Sequence, residues 1–526
     1  VSANVHNTPK LNLRNFCLFA IFISLLSITI IIRVRTLNVP LERDEGEYAY
    51  AGQLMLQGVP PYQLAYNMKM PGIYAAYAAI IAVFGQTDIG IHLSVLLINT
   101  ATAILIFILT KKLLNTLAGI AAAAFFAITS LSRFVAATAN AENFVVLPAI
   151  AAILLLIKFS ETRKIRHLIP AGLLMGVAFM MKQHAIGFII FGGLLLLFNK
   201  PFNLKKLFAP VVIYSGCVLL PFLITCVILW RCGVFDKFWF WTFDYAGKYV
   251  SIVPLQIGIK MLKFNSLLII QSAPLIWFLA LSGLACVLWV KILHKHRIFL
   301  SAFLVCSFIA ICPGMYFRNH YFVLLLPAVC ILAGAAIFAG EQLCLKIVKS
   351  QKTASIICSI VFVGIWLHTL FLPKNYYFEN NPVAVSRLTF GDNPFAEMRE
   401  IANYIMQNSN ANDQIAVMGS EPEIFFYSQK RSASPYIYMY PLMEPQPYAH
   451  KMQQEMITHI EQNKPRFFVF VTHNFSWLQG ASSDTTIFKW FGEYIENYNQ
   501  IKIIETPPQG SRIYLFERKN LANSTL

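Results

Sequence analysis

The chain has 526 residues, 57% of them hydrophobic and only 13% charged. Soluble domains carry nearer a quarter charged residues, so this composition excludes an ordinary soluble enzyme and points to a polytopic α-helical membrane protein. The net charge of +17 does not imply a nucleic-acid partner: residues 1–373 hold 29 of the 42 basic side chains but only 10 of the 25 acidic ones, an excess lying between apolar runs, where the positive-inside rule puts it.

A membrane-crossing helix needs about 20 apolar residues. Such runs predict about eleven spans, near 14–32, 89–109, 115–132, 141–157, 167–181, 185–199, 207–230, 266–290, 298–314, 321–340 and 353–372. The first has no signal-peptide cleavage pattern and reads as an anchor. Lys10, Arg14, Lys111-Lys112, Lys158 to Arg166, Lys200 to Lys206, Lys291 to Arg297 and Lys346 to Lys352 fall on one side, which that bias makes cytoplasmic. An odd number of spans then places the loop at 33–88 and everything after residue 373 outside. All ten cysteines precede residue 373, without CxxC spacing, and read as buried hydrophobes.

Between the first two spans lies Leu41-Glu42-Arg43-Asp44-Glu45-Gly46-Glu47-Tyr48, with four of the ten acidic residues of the membrane part. Carboxylates beside a bilayer are costly unless solvated, paired or used. A solvated loop cap is the plain alternative to an active-site edge. The stretches around Gly52 to Leu56 and Gly72 to Tyr77 are amphipathic and expected along the membrane interface, their tyrosines at headgroup depth. A second long loop, about 231–265, carries Trp239, Trp241, Tyr245 and Tyr249, read as an interfacial belt or as a lid.

Residues 374–526 have a soluble composition. A helix start at Asp392-Asn393-Pro394, a strand at 414–419, a helix at about 449–462 and a strand at 467–471 predict a small α/β domain with a mainly parallel sheet. It has no GxGxxG or P-loop, and Asn523-Ser524-Thr525 matches a glycosylation sequon. The expected organisation is a transmembrane domain over 1–373 and an extracytoplasmic α/β domain over 374–526.

A carboxylate at a membrane surface takes a proton from a nucleophile or holds a divalent cation. A leaving phosphate needs cations to absorb its developing charge. Asp44 and Glu45 are therefore the candidate catalytic residues. Lys69, Glu142, Arg133, Lys182, His184, Arg318 and His320 share the predicted outer face and are the candidate substrate-binding residues. Each also has a structural reading: Lys69 snorkelling, Arg133 ending a span, Glu142 favouring a helix N-terminus. No HExxH or GxSxG occurs, no cofactor is implied, and a divalent cation, if one is used, would sit on Asp44 and Glu142.

Arg43-Asp44-Glu45-Gly46-Glu47-Tyr48-Ala49 resembles the Asp/Glu motif of the C-type (GT-C) membrane glycosyltransferases. More narrowly, it is similar to that of the protein O-mannosyltransferase superfamily, which includes bacterial lipid A aminoarabinose transferases. Asn67-Met68-Lys69-Met70-Pro71-Gly72 resembles that group's Lys-Pro-Pro turn, with Met70 replacing the first proline. Glu142 in Ala139-Asn140-Ala141-Glu142-Asn143, the short loop Met181-Lys182-Gln183-His184, and Arg318-Asn319-His320-Tyr321 leading to Leu326-Pro327 match in order. Gly46-Glu47 stands where the protein-mannosylating branch usually has a histidine.

The resemblance implies an inverting glycosyltransferase that uses a polyprenyl-phosphate sugar on the outer face of the plasma (inner) membrane. Asp44 would be the general base or metal-linked carboxylate, and Lys69 would hold the donor phosphate, with Arg318 and Lys182 beside it. The partners implied are a lipid, glycan or protein acceptor and membrane lipids. The rival readings are a transporter or flippase of lipid-linked sugars, disfavoured by few mid-span charges and no internal repeat, and a receptor acting through its outer domain.

Overall fold

The computed structural model describes residues 13–135, 138–197, 204–507 and 510–519. Lys10, Lys200 and the Asn523-Ser524-Thr525 triplet lie outside them. The chain begins with α1 (Leu13–Arg35). Two helices then fill the first long loop, α2 (Arg43–Leu56) and α3 (Pro71–Phe84). There follow α4 (Asp88–Leu113), α5 (Thr116–Thr129), α6 (Ala141–Thr162), α7 (Ile165–Met181), α8 (Ile186–Leu197) and α9 (Leu204–Arg231). Thr87 and Asn115 cap α4 and α5, each side chain accepting from a backbone N–H of the first turn. The second long loop is α10 (Phe235–Trp239), a π-turn over Phe240–Tyr245 and α11 (Ala246–Val250), bent by 91° from α12 (Leu255–Ser272). α13 (Pro274–Trp289), α14 (Arg297–Ile311), α15 (Leu326–Val348) and α16 (Gln351–Phe371) complete the helical part.

Among the described residues seven helices are long and apolar enough to cross a membrane, or eight if the bent pair counts as one span. The other runs counted in the expected eleven form the shorter apolar helices α5, α7, α8 and α13. α5 has 14 residues, about 21 Å against a hydrocarbon core of about 30 Å, and every side chain from Leu117 to Thr129 is buried in protein. α7 and α8 are also short, at 17 and 12 residues. The run at 266–290 is broken at Ala273 (φ −153°, ψ 55°), because Pro274 lacks an N–H and drives the residue before it out of the helical region.

Several basic turns meet at one end around the fully buried Glu341. It accepts from Arg14 (2.8 Å), Asn115 (2.6 Å) and Gln351 (2.8 Å), and also from Ser355. The starts of α1, α5 and α16 and the last third of α15 are thereby tied together. α2, α3 and the C-terminal domain lie at the opposite end of α1.

That domain comprises α17 (Lys374–Tyr377), α18 (Pro382–Phe390), α19 (Phe395–Gln407), β1 (Gln414–Met418), α20 (Glu423–Ser428), β2 (Arg431–Ser432), α21 (Tyr440–Met443), α22 (Ala449–Asn463), β3 (Phe467–Val471), α23 (Thr486–Tyr494), β4 (Tyr498–Thr506) and β5 (Ser511–Arg518). The sheet order is β2-β1-β3-β5-β4. β1 pairs in parallel with β2 and β3, but β5 is antiparallel to both β3 and β4. The sheet is thus mixed rather than mainly parallel. Too few residues separate β4 from β5 for the crossover that a parallel pair needs.

The two parts share one buried apolar cluster: Tyr48, Tyr50, Leu54 and Tyr74 from the first loop, with Met398, Ile401, Phe425 and Ile437 from the C-terminal domain. Tyr66 N–H donates to the Pro435 carbonyl (2.7 Å), Leu41 N–H to Tyr427 Oη (2.8 Å) and Ser432 N–H to Tyr50 Oη (2.9 Å). The loop tyrosines expected at headgroup depth are instead enclosed by protein, Tyr48, Tyr50, Tyr62, Tyr74 and Tyr77 being at most 2% exposed.

Candidate active site

α2 starts with a capping box: Glu42 accepts from Glu45 N–H, and the Glu45 carboxylate accepts from Glu42 N–H. This fixes Asp44 in the first turn, where the helix dipole favours negative charge. Lys69 is carried on the turn before Pro71, and Tyr62 pins that turn by donating to the Lys69 carbonyl (2.6 Å). Lys69 Nζ lies 3.2 Å from Asp44 Oδ1 and 3.3 Å from Tyr48 Oη. Tyr438, from the C-terminal domain, donates to the same Asp44 oxygen (3.1 Å).

Burial opposes ionisation of Asp44, but Lys69, His320, Arg318 and Lys182 more than offset it and hold the carboxyl well below the usual carboxylate range. Burial likewise opposes the charge on Lys69, which Asp44 and Glu47 overcome, raising its affinity for a proton. Glu47, one turn on, receives bonds from Asn67 Nδ2 (2.7 Å) and Tyr74 Oη (2.6 Å), yet burial beside Asp44 pushes it up to about 8. It is therefore mostly protonated at neutral pH.

Two cavities meet at Lys69. The first is polar and aromatic: Asp44, Asn67, Arg318 and His320 face Tyr438, Tyr440 and Glu444 of the C-terminal domain. Tyr245 and Tyr249 of the second long loop also line it. The second, larger cavity, about 300 Å³, mixes Lys69, Lys182 and His184 with Met68, Met70, Met181, Phe243 and Val250. Met68, Lys69, Tyr249 and Tyr321 belong to both walls.

Glu142, on the first turn of α6, accepts from Lys182 Nζ and lies 3.8 Å from His320 Nε2. Lys182 Nζ is 4.3 Å from the centre of the Tyr321 ring. Arg318 donates to Tyr249 Oη (3.1 Å). Burial lowers His320 to about 4, so it is neutral at physiological pH. Two candidates are placed elsewhere. Glu45 is fully buried away from both cavities, bonded to His92 Nε2 (3.1 Å) and Ala139 N–H. Arg133 donates to the Leu388 carbonyl (2.9 Å) and lines neither cavity.

Residues 68–230 match the family model of dolichyl-phosphate-mannose-protein mannosyltransferases. The chain superimposes on ArnT from Cupriavidus metallidurans bound to undecaprenyl phosphate, with a TM-score of 0.59 at 13% identity over 94% of this chain and 97% of that one. Its apo state gives 0.57 at 12% identity, covering 94% and 98%. The archaeal oligosaccharyltransferase AglB from Archaeoglobus fulgidus, in complex with an inhibitory peptide and a dolichol-phosphate, gives 0.53 at 12% identity, covering 94% and 74%. No curated protein sequence matches the chain. The fold is shared with ArnT and AglB, and residues 68–230 are similar to the mannosyltransferase family.

No group of three His, Cys, Asp or Glu side chains converges as a metal site among the described residues. The two carboxylates named for a cation already face positive groups, Asp44 facing Lys69 and Glu142 facing Lys182. That donor set does not fit a resident metal ion. Sequence reasoning missed Tyr438, Tyr440 and Glu444. The only signal in the chain is the aromatic run Tyr436-Ile437-Tyr438-Met439-Tyr440 after Ser434-Pro435.

Proposed function

We propose that this protein transfers a sugar from a polyprenyl-phosphate donor to an acceptor nucleophile on the non-cytoplasmic face of the plasma membrane, inverting the anomeric carbon. The observation that carries this reading is the Asp44–Lys69 pair, held at the boundary between a polar cavity and a larger, methionine-rich one. The larger cavity suits the first isoprene units and the phosphate, with Lys69 and Lys182 as counter-charges. The polar cavity suits the sugar and the acceptor.

Donor and base are coupled through Lys69. In the empty site Asp44 and Lys69 neutralise each other. A donor phosphate competes for the ammonium and frees the carboxylate. The acceptor oxygen or nitrogen then bonds to the anomeric carbon while the bond from that carbon to the phosphate oxygen breaks. The acceptor proton passes to Asp44, and prenyl phosphate leaves with its added negative charge beside Lys69. A base this weak takes the proton late, once bonding to carbon has made the nucleophile acidic. A single displacement inverts the centre.

Purified protein incubated with a panel of polyprenyl-phosphate sugars and candidate acceptors should release prenyl phosphate with at least one donor. The absence of release from every donor, with the protein folded, would overturn the assignment.

A further inference from the structure

Arg43 precedes Asp44 in the chain and points about 100° away from it around α2. Its side chain is plugged into the C-terminal domain. Nη2 donates to Glu421 Oε1 (2.9 Å) and Asn393 Oδ1 (3.3 Å), and Nε donates to the Ser420 carbonyl. The guanidinium lies 5.3 Å from the Phe395 ring centre and 5.8 Å from that of Tyr440. Glu421 is fully buried, and its Oε1 also accepts from Ser476 Oγ. One turn on, Gly46 sits so close to α20 that a Cβ would lie 2.5 Å from Glu423 N and 2.6 Å from its Cα. The neighbouring Glu423 is fully buried and, among the described residues, has no hydrogen-bond partner for either oxygen; burial, reinforced by Glu421, pushes it well above the usual carboxylate range. The charge that answers Arg43 is therefore Glu421.

We infer that Glu421 is a positioning residue for the proposed transfer: by holding Arg43 it fixes the first turn of α2, and with it the place where Asp44 meets Lys69 and the acceptor. The inference rests on the reading of Asp44 as the base. Adjacent Cα atoms are about 3.8 Å apart in a rigid, capped turn, so a displaced Arg43 carries Asp44 with it. A shift of about 1 Å at a reacting group can cost about 100-fold in rate. Tyr438, bonded directly to Asp44 from the same domain, makes the alignment two-pointed.

Glu421→Gln should lower kcat about 30- to 100-fold with the donor KM within about threefold of wild type. Hydrogen exchange at amides 43–48 should accelerate about tenfold. Arg43→Gln should behave alike, and the double variant Arg43→Gln/Glu421→Gln should be no worse than the poorer single one, because both changes break the same link. A wild-type kcat in Glu421→Gln, or single losses that multiply in the double variant, would overturn the inference. If Glu421→Gln leaves Arg43 buried without its charge partner and fails to fold, the double variant, which buries no lone charge, carries the measurement; a kcat near wild type in it is then the overturning result. Asp44→Asn assayed alongside separates the two levels. An active Asp44→Asn removes the base and this inference with it, whereas a dead Asp44→Asn beside an active Glu421→Gln removes only the positioning role.

Discussion

Asp44 and Lys69 do opposite work in one ion pair, and single substitutions should separate them. Asp44→Asn keeps the shape and the Tyr438 contact but loses the proton acceptor, so turnover should fall by about 10²- to 10⁴-fold with insertion and thermal midpoint near wild type. Retained activity in that variant would refute the base assignment. Lys69→Ala removes the counter-charge of the leaving phosphate. Its donor KM should rise about tenfold or more while the acceptor KM changes little, and equal losses for both substrates would count against a phosphate role. Glu47 adds a pH dependence. Its folded value of about 8 lies above its ordinary 4.5, so the folded protein keeps a proton that the unfolded chain releases. The resulting stability is fully present below about 4.5 and is lost as pH rises through about 8. Ionisation there also sets a second negative charge beside Asp44. Activity should therefore decline as Glu47 ionises around pH 8, the melting temperature should fall between about pH 4.5 and 8 and level off above, and Glu47→Gln should flatten both profiles. A wild-type alkaline limb in that variant would show that another group is responsible.

At the scale of elements, α2 is a piece on which the membrane part and the C-terminal domain converge, and at Gly46 its backbone packs closely on α20. Any side chain there must push α20 away, so Gly46→Ala should destabilise by about 1–3 kcal/mol and depress turnover more than donor binding. Calorimetry and donor-binding assays on the same preparation would test this, and an unchanged midpoint would contradict the close packing. Much of this architecture was legible in the sequence. The apolar runs became helices, β1 and β3 read as strands, and the short motifs holding Asp44, Lys69, Glu142, Lys182, Arg318 and His320 stand where the structure gathers those residues around two adjoining cavities. The span count was less legible because hydropathy cannot distinguish an apolar helix facing lipid from one like α5 enclosed by protein. Arg133 and Glu45 share composition and neighbourhood with the cavity residues but turn elsewhere, and only side-chain direction separates them. Tyr438 reaches Asp44 across 394 positions of sequence, a contact that no local periodicity encodes.

For the whole molecule, the question is which end of the bundle faces the cytosol. The chain's own charges predict an answer through a physical asymmetry: translocating basic turns across a bilayer is disfavoured, and such turns gather at the end built around Glu341. Lys112, at the turn that supplies Asn115, pairs with Glu161 at the α6–α7 turn (2.8 Å). At the Asp44 end Lys69 and Lys182 are drawn onto carboxylates and Arg318 onto Tyr249, so these three belong to a site, while Lys237 and Lys248 of the second long loop are exposed. The C-terminal domain is bolted to that same end by the ion pair of Arg399 with Asp88 and by Tyr427, which donates to Asp88 (2.7 Å). Domain and site must therefore share a compartment, whichever it is. Two introduced cysteines would read it out: Ala481→Cys on the exposed surface of the domain and Lys164→Cys in the turn between α6 and α7. In intact cells a membrane-impermeant maleimide should label Ala481→Cys above the wild-type background and spare Lys164→Cys until the membrane is permeabilised. The reverse pattern would put Asp44 in the cytosol and leave a sugar donor presented on the outer leaflet out of its reach.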